Sequence, residues 1–321
     1  MRIRFRLKTL LVLIVVSALI AGYYGRRISL LGKEKQAVEQ LSEDWKVRVN
    51  RVHMNDGLRY MEKSRIQNLI DWPINRWLGS SSKGNVKLAE TDHALSLWLY
   101  EPGSREANSL AGLEHFTQLQ ELKLYDSPSL SYGVFVDDDE FQQIGKLEKL
   151  ERLLMIRCRV GAQGLAHLSR LKLKHLRCGS GDWGQEELHE INKLTSLEEL
   201  YVYCPAFDIN YLANLTKLEK LEIYIREDAQ LDGEEKLTSL ASMKLRGFVF
   251  RDHIISLQKA LRLESLEFMD FRLEDGCIDE LLGLPSLKKI HFKYGEGISQ
   301  PNRQKLEAAG IKVTVEDLPL S

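Results

Sequence analysis

Hydrophobic residues recur in one short pattern, Leu-x-x-Leu-x-Leu, from about Thr91 to the C-terminus. It reads Leu119, Leu122, Leu124, then Leu150, Leu153, Met155; Leu173, Leu176, Cys178; and Leu197, Leu200, Val202. It continues as Leu218, Leu221, Ile223; Leu240, Met243, Leu245; Leu263, Leu266, Phe268; and Leu287, Ile290, Phe292. From Leu150 onward the units start 21 to 24 residues apart. The second and third apolar residues stand two apart, so a strand turns both to one face and the residues between them to the other. Apolar-periodic segments after the strands predict helices at 137–144, 161–168, 185–193, 209–215, 277–282 and 302–309. Turns such as Leu194-Thr195-Ser196-Leu197 restart the pattern before the next strand. The first strand is expected near 94–99 and the last near 311–315. That makes about ten parallel strands, or a surface roughly 45 Å long at ~4.8 Å per strand.

The N-terminus breaks this pattern. Thr9 to Gly25 carries no charge, with Arg2, Arg4, Arg6 and Lys8 before it and Arg26 and Arg27 after it. A cleaved leader should end in small residues, but Ala21 is preceded at two residues by Leu19 and followed closely by Tyr23 and Tyr24. An uncleaved single-pass anchor over 9–25 is favoured over a cleaved leader or a buried helix. The slight N-terminal excess of basic residues places the repeats on the non-cytoplasmic side. The helical spacing of Val38, Leu41 and Trp45 predicts that the membrane helix continues outward through 33–45. Trp45 to Asn50 alternates like a half-buried strand, and 66–78 reads as a helix interrupted near Pro73. The expected divisions are an anchor over 1–30, a juxtamembrane helix and cap over 31–90, and repeats over 91–321. A repeat array needs an atypical end unit to cover its first core edge, and 45–90 is assigned that role.

The repeats resemble the leucine-rich-repeat superfamily, with a helix-bearing unit similar to that of ribonuclease-inhibitor-like proteins. With the basic-flanked anchor, the whole chain resembles bacterial membrane-anchored leucine-rich-repeat proteins. The resemblance implies an α/β solenoid with a parallel concave sheet, convex helices and an N-terminal transmembrane helix. It departs from the family pattern where Asn usually ends the strand motif: Ser127, Cys158, Gly181, Pro205, Arg226, Phe248, Phe271 and Gly295 stand there. The turns must therefore find other hydrogen bonds.

The outward strand positions carry the candidate chemistry. Trp98, Tyr100, Tyr125, Tyr201, Tyr203 and Tyr224 fall on them, as do Arg152, Arg177, Lys244 and Arg246. Tyr, Trp and Arg dominate binding hot spots, which points to a face that captures a protein or peptide. Basic residues are expected to dominate its C-terminal part. The competing reading is that the tyrosines only pack against one another as strand residues.

Other chemistry finds little footing. Net charge is −1, so no global charge favours nucleic acid. Apolar residues make up 44%, enough for a core, and the mean hydropathy of −0.27 argues against a polytopic membrane protein. Cys158, Cys178, Cys204 and Cys277 show no C-x-x-C spacing and read as buried free thiols. Gly179 to Gly184 matches G-x-G-x-x-G between a strand and a helix, but strand–loop–helix is what every repeat supplies. Asp137 to Glu140 reads as helix capping rather than a cation site. Asn214-Leu215-Thr216 is a glycosylation sequon that also matches the repeat turn, and the histidines show no ligand spacing. The reading is a non-catalytic, membrane-anchored leucine-rich-repeat protein with no cofactor and no metal. A structural envelope protein or a glycan-binding surface is the alternative.

Overall fold

The computed structural model describes residues 25–26, 29–41, 46–50, 96–100, 110–125, 134–135, 138–156, 158–179, 183–204, 207–226, 229–233, 236–295 and 298–316. The main strands are β1 (Lys46–Asn50), β2 (Ser96–Tyr100), β3 (Glu121–Tyr125), β5 (Arg152–Ile156), β7 (His175–Gly179) and β8 (Glu199–Tyr203). They continue with β9 (Lys220–Ile225), β10 (Ser242–Val249), β11 (Ser265–Leu273), β12 (Lys289–Lys293) and β13 (Lys312–Glu316). These form one eleven-stranded sheet in chain order. Every pairing in it is parallel except that of β1 with β2. Two short strands, β4 (Val134–Phe135) and β6 (Cys158–Arg159), pair beside it.

The repeat is built from two recurring hydrogen-bond devices. At the turn, the amide of the first leucine donates to the carbonyl three residues back: Leu150 to Leu147, Leu197 to Leu194, Leu218 to Leu215 and Leu240 to Leu237, at 2.9–3.0 Å. At the strand entry, one carbonyl accepts two successive amides from the next repeat. Glu151 O takes Lys174 and His175, Lys174 O takes Glu198 and Glu199, and Glu198 O takes Glu219 and Lys220. Each unit thus satisfies its neighbour's backbone, which stacking requires.

The inward strand residues are buried as the alternation demands: Leu122, Leu153, Leu176, Leu200, Leu221, Met243, Leu266 and Ile290 are at most 2% exposed. Phe268 and Phe292 stack across β11 and β12 with centroids 5.3 Å apart. The other side of the core is supplied by short helices at Phe141–Ile144, Ala162–Ala166, Gln185–Ile191, Arg251–Ser256, Cys277–Leu281 and Gln300–Ala308, interspersed with 3₁₀ turns. The segment expected to be helical at 209–215 is a 3₁₀ turn, Ile209–Leu212. With only 21 to 24 residues per repeat, little chain remains for a longer helix.

The helix at 29–41 packs onto the repeats. Ala37, Val38 and Leu41 are buried in the same core as Leu110 and Leu113, and Ala37 packs beside Gly112. This helix and β1, which closes the sheet edge antiparallel to β2, form the N-terminal cap. Of the stretch 45–90 assigned that role from sequence, β1 belongs to the cap, and 51–90 lies outside the described residues. β10 and β11 run past Arg246 and Met269 to Val249 and Leu273, with a bulge between Arg246 and Gly247. Phe248 and Phe271, where the family pattern has a turn Asn, continue the strands.

The expected anchor over 9–25 lies, apart from Gly25, outside the described residues. Among the described residues no helix is long and apolar enough to cross a membrane.

Candidate functional site

Strand register places the outward side chains in rows across the open face. One row aligns Leu154, Arg177, Tyr201 and Glu222, and continues through Lys244 and Glu267. The row nearer the strand starts aligns Glu121, Arg152, His175, Glu199, Lys220 and Ser242. Along β7 and β8 the alternation of buried and half-buried residues confirms which side chains face outward. Together these two rows line a concavity of about 510 Å³.

Of the residues picked out from sequence, Arg152, Arg177, Tyr201 and Lys244 line this concavity. Tyr203 and Tyr224 meet edge-on beside it, with centroids 5.0 Å apart. The Arg177 guanidinium lies 4.2 Å from the Tyr201 ring centroid, and that of Arg246 stands at 5.8 Å from the same ring. Trp98 and Tyr100 lie on β2 in register with Lys123 and Tyr125 on β3, and the side chains of Trp98, Tyr100 and Tyr125 lie outside the described ones.

Several bases toward the C-terminal end are paired with acids on a neighbouring strand. Lys220 binds Glu199 at 2.5 Å, and Lys244 pairs with Glu267 at 3.1 Å and with Glu222 at 3.7 Å. Arg246 donates to Glu222 at 2.7 Å and approaches Asp270 at 3.5 Å, and Lys293 pairs with Glu316 at 2.9 Å. The cause is register: an acid stands one strand away from each of these bases, while Lys289 and Lys312 are exposed bases in register with each other on β12 and β13. Burial pushes the Glu199 carboxyl up, but hydrogen bonds from Lys220 and His175 outweigh it and hold it below its ordinary value. The acids Glu199, Glu222 and Glu267 were not singled out from sequence; their signal was their position opposite Lys and Arg once the repeats are aligned.

The turn positions show what replaces the missing Asn. The Trp183 indole N–H donates to the Val160 carbonyl at 2.8 Å, one repeat back. The Cys204 thiol approaches the Trp183 carbonyl at 3.4 Å, Cys277 approaches Val249 O at 3.5 Å and Cys158 approaches Leu124 O at 3.8 Å. All four cysteines are buried thiols that form no disulfide. Burial pushes the Cys277 thiol up to about 11 and raises that of Cys178 as well, which keeps both protonated and unreactive.

The remaining motifs have structural roles. Asp138 accepts from the Gly161 amide at 3.0 Å and Glu140 from the Leu110 amide at 2.7 Å. These acids cap neighbouring repeats rather than their own helix, which corrects the sequence expectation in detail. In the glycine-rich segment, the Gly184 amide, which a phosphate would need at the helix start, is taken by Glu187 at 2.8 Å. Among the described residues no group of His, Cys, Asp and Glu is placed to hold a metal ion.

No protein-family description matches the chain, and no curated protein matches it. Similar solved structures include an internalin (inlF) from Listeria monocytogenes, 18% identical with a TM-score of 0.42, the match covering 71% of each chain. Another is an internalin C2 (inlC2) from the same organism, 16% identical with a TM-score of 0.35, covering 70% of this chain and 81% of that one. The recurring Leu-x-x-Leu-x-Leu strands, their in-register parallel sheet and the short helices behind it give this chain a leucine-rich-repeat fold.

Proposed function

We propose that this chain is a recognition protein that binds a protein or peptide on its open sheet face, has no catalytic activity, and is held at a membrane by residues 9–25. The observation that carries the binding reading is the Arg177–Tyr201 stack, with Tyr203 and Tyr224 beside it, on the wall of the concavity. Large, stiff aromatic groups and a stacked guanidinium offer contact area at a low entropic cost. The self-paired acids and bases around them fix geometry and register more than affinity. They build no basic stripe of the kind nucleic acid requires. The membrane reading rests on the charge-free stretch Thr9 to Gly25 and its flanking arginines. The repeats then stand on the non-cytoplasmic side.

The test is site-specific photo-crosslinking in cells. A photoreactive residue in place of Leu154 or Ser242 probes the open face, and one in place of Ile255, exposed on the helical side, is the control. The proposal expects a discrete adduct from Leu154 and Ser242 and none from Ile255. Adducts from Ile255 alone would move the site to the helices. No adduct from any position would favour a structural envelope role. Binding competed by free sugar would favour a glycan. Retention of the protein in the membrane pellet after carbonate extraction, lost on deleting residues 9–25, tests the anchor.

A further inference from the structure

The concavity is lined by four carboxylates (Glu121, Glu199, Glu222 and Glu267) and four lysines and arginines (Lys220, Lys244, Arg152 and Arg177), but they are not paired evenly. Its lysines and carboxylates satisfy one another: Lys220 with Glu199, and Lys244 with Glu222 and Glu267. Glu121 is engaged by Lys123 at 3.3 Å and by the Ser96 hydroxyl at 2.6 Å. Arg152 and Arg177 line the same concavity, and among the described residues neither has a carboxylate within ion-pair range. Arg152 is exposed, and Arg177 is only part-buried against Tyr201. Two guanidiniums in a polar concavity, each with its planar set of donors unspent on any acid, make a recognition element for anions.

The arrangement selects among anions. Arg152 is the register partner of His175 on β5, and Arg177 stands two residues further along β7, so the two are diagonal neighbours. With ~4.8 Å between strands and ~3.3 Å per residue, their Cα atoms lie roughly 8 Å apart. Arg177 also stacks on Tyr201, on the strand away from Arg152, so its head is drawn off the line between them. Two cations drawn apart in this way suit two acids rather than one phosphate. They match two carboxylates at i and i+2 of an extended segment, which stand about 7 Å apart. Leu154, half-buried and in register with Arg177, offers apolar contact to a flanking side chain.

We infer that Arg152 and Arg177 form a subsite for an extended acidic segment of the partner, with two Asp or Glu residues spaced i, i+2. The inference rests on the binding-face reading and names the partner's chemistry. It is tested by fluorescence anisotropy on the full chain in detergent micelles. The probes are labelled extended peptides with a Glu-Val-Glu core, the Gln-Val-Gln counterpart, and a peptide with one phosphoserine. The variants are Arg152→Gln, Arg177→Gln and, as a charge control on the helical side, Arg170→Gln. The Glu-Val-Glu peptide is expected to bind saturably, and each concave variant to weaken it about tenfold. Arg170→Gln should leave it unchanged, and Gln-Val-Gln should not bind. Equal binding of Gln-Val-Gln, an equal loss with Arg170→Gln, absence of saturable Glu-Val-Glu binding, or preference for the phosphoserine peptide would each overturn the inference. Crosslinking from Leu154 separates the two levels. Adducts that persist in the Arg152→Gln and Arg177→Gln variants sink the subsite and leave the binding face standing. Their absence in the unmodified chain removes both.

Discussion

Gly179 ends β7 directly against the backbone of Tyr203 on β8: a Cβ added there would stand 2.5 Å from the Tyr203 carbonyl oxygen and nearer still to its amide nitrogen. Its φ of 137° is also one that side-chain-bearing residues rarely adopt. The first glycine of the G-x-G-x-x-G match is therefore required by strand packing, not by a phosphate. Gly179→Ala should destabilise the chain by about 2 kcal/mol or more, measured by urea unfolding. A loss no greater than that of an exposed alanine substitution would show that the strands separate easily at this point.

The turn ladder makes a second expectation. Trp183 is 4% exposed, and its indole N–H is the donor that reaches Val160 O in the preceding repeat. Trp183→Phe keeps most of the ring and removes the donor, which leaves a buried carbonyl unpaired. The expected cost is about 1–3 kcal/mol, seen as a lower urea midpoint with an unchanged slope. An unchanged midpoint would mean that the turn is satisfied by other means.

These two positions show where sequence reasoning reaches. The strands and their inward residues were legible because a period of two fixes the face, and a repeat of 21 to 24 residues fixes the stacking. Cys158 could be placed at the Asn position from sequence, but the turn roles of Trp183, Cys204 and Cys277 could not, because the donor and its acceptor belong to different repeats. The long β10 and β11 were hidden for a similar reason. Phe248 reads as an apolar residue in a turn position, and only its pairing with Arg272 shows a strand that continues. On the binding face, aromatic residues announce themselves singly, whereas pairs such as Lys244–Glu267 appear only when neighbouring repeats are aligned.

His253 gives the fold a pH dependence with a definite sign. It is 5% exposed, and its Nδ1 accepts from the Phe250 amide at 3.2 Å. Burial lowers its pKa below the ordinary 6.5, although a hydrogen bond with the Ala229 backbone pulls the other way. As pH falls through 6.5 the unfolded chain takes up a proton that the folded chain resists. The unfolded state then binds more protons, so stability present above that pH is lost as pH falls. Urea unfolding between pH 7.5 and pH 5, roughly the window in which histidine titrates, should show this loss. It should shrink in His253→Gln; an equal slope in both proteins would assign the effect to other groups.

Tyr201, Tyr203 and Tyr224 distinguish recognition from mere packing. Tyr203 and Tyr224 touch edge-on, a contact worth about 0.5–1.5 kcal/mol beyond area burial. The triple alanine variant should therefore stay folded by circular dichroism and lose only modest stability. If the face binds, the same variant should lose the partner adduct formed from Leu154. Retained adduct with reduced stability would leave the tyrosines as strand packing and nothing more.

The N-terminal helix decides where the folded domain begins. Leu41 and Ala37 are each 1% exposed, and they share the core with Leu110 and Leu113 at the first edge of the repeats. An uncovered solenoid end exposes apolar surface, so this helix is expected to be required rather than ornamental. Leu41→Ala should cost about 2–5 kcal/mol. A chain starting at residue 27 should unfold cooperatively, and one starting at residue 45 should show a lower midpoint and bind a hydrophobic dye. If the two fragments unfold alike, β1 closes the sheet edge alone and the helix only rests on it. If they differ as expected, the repeat domain begins within a few residues of the charge-free stretch. If residues 9–25 also hold a membrane, as proposed, the linker between the open face and that membrane would then be short, and a partner would have to approach close to the lipid surface.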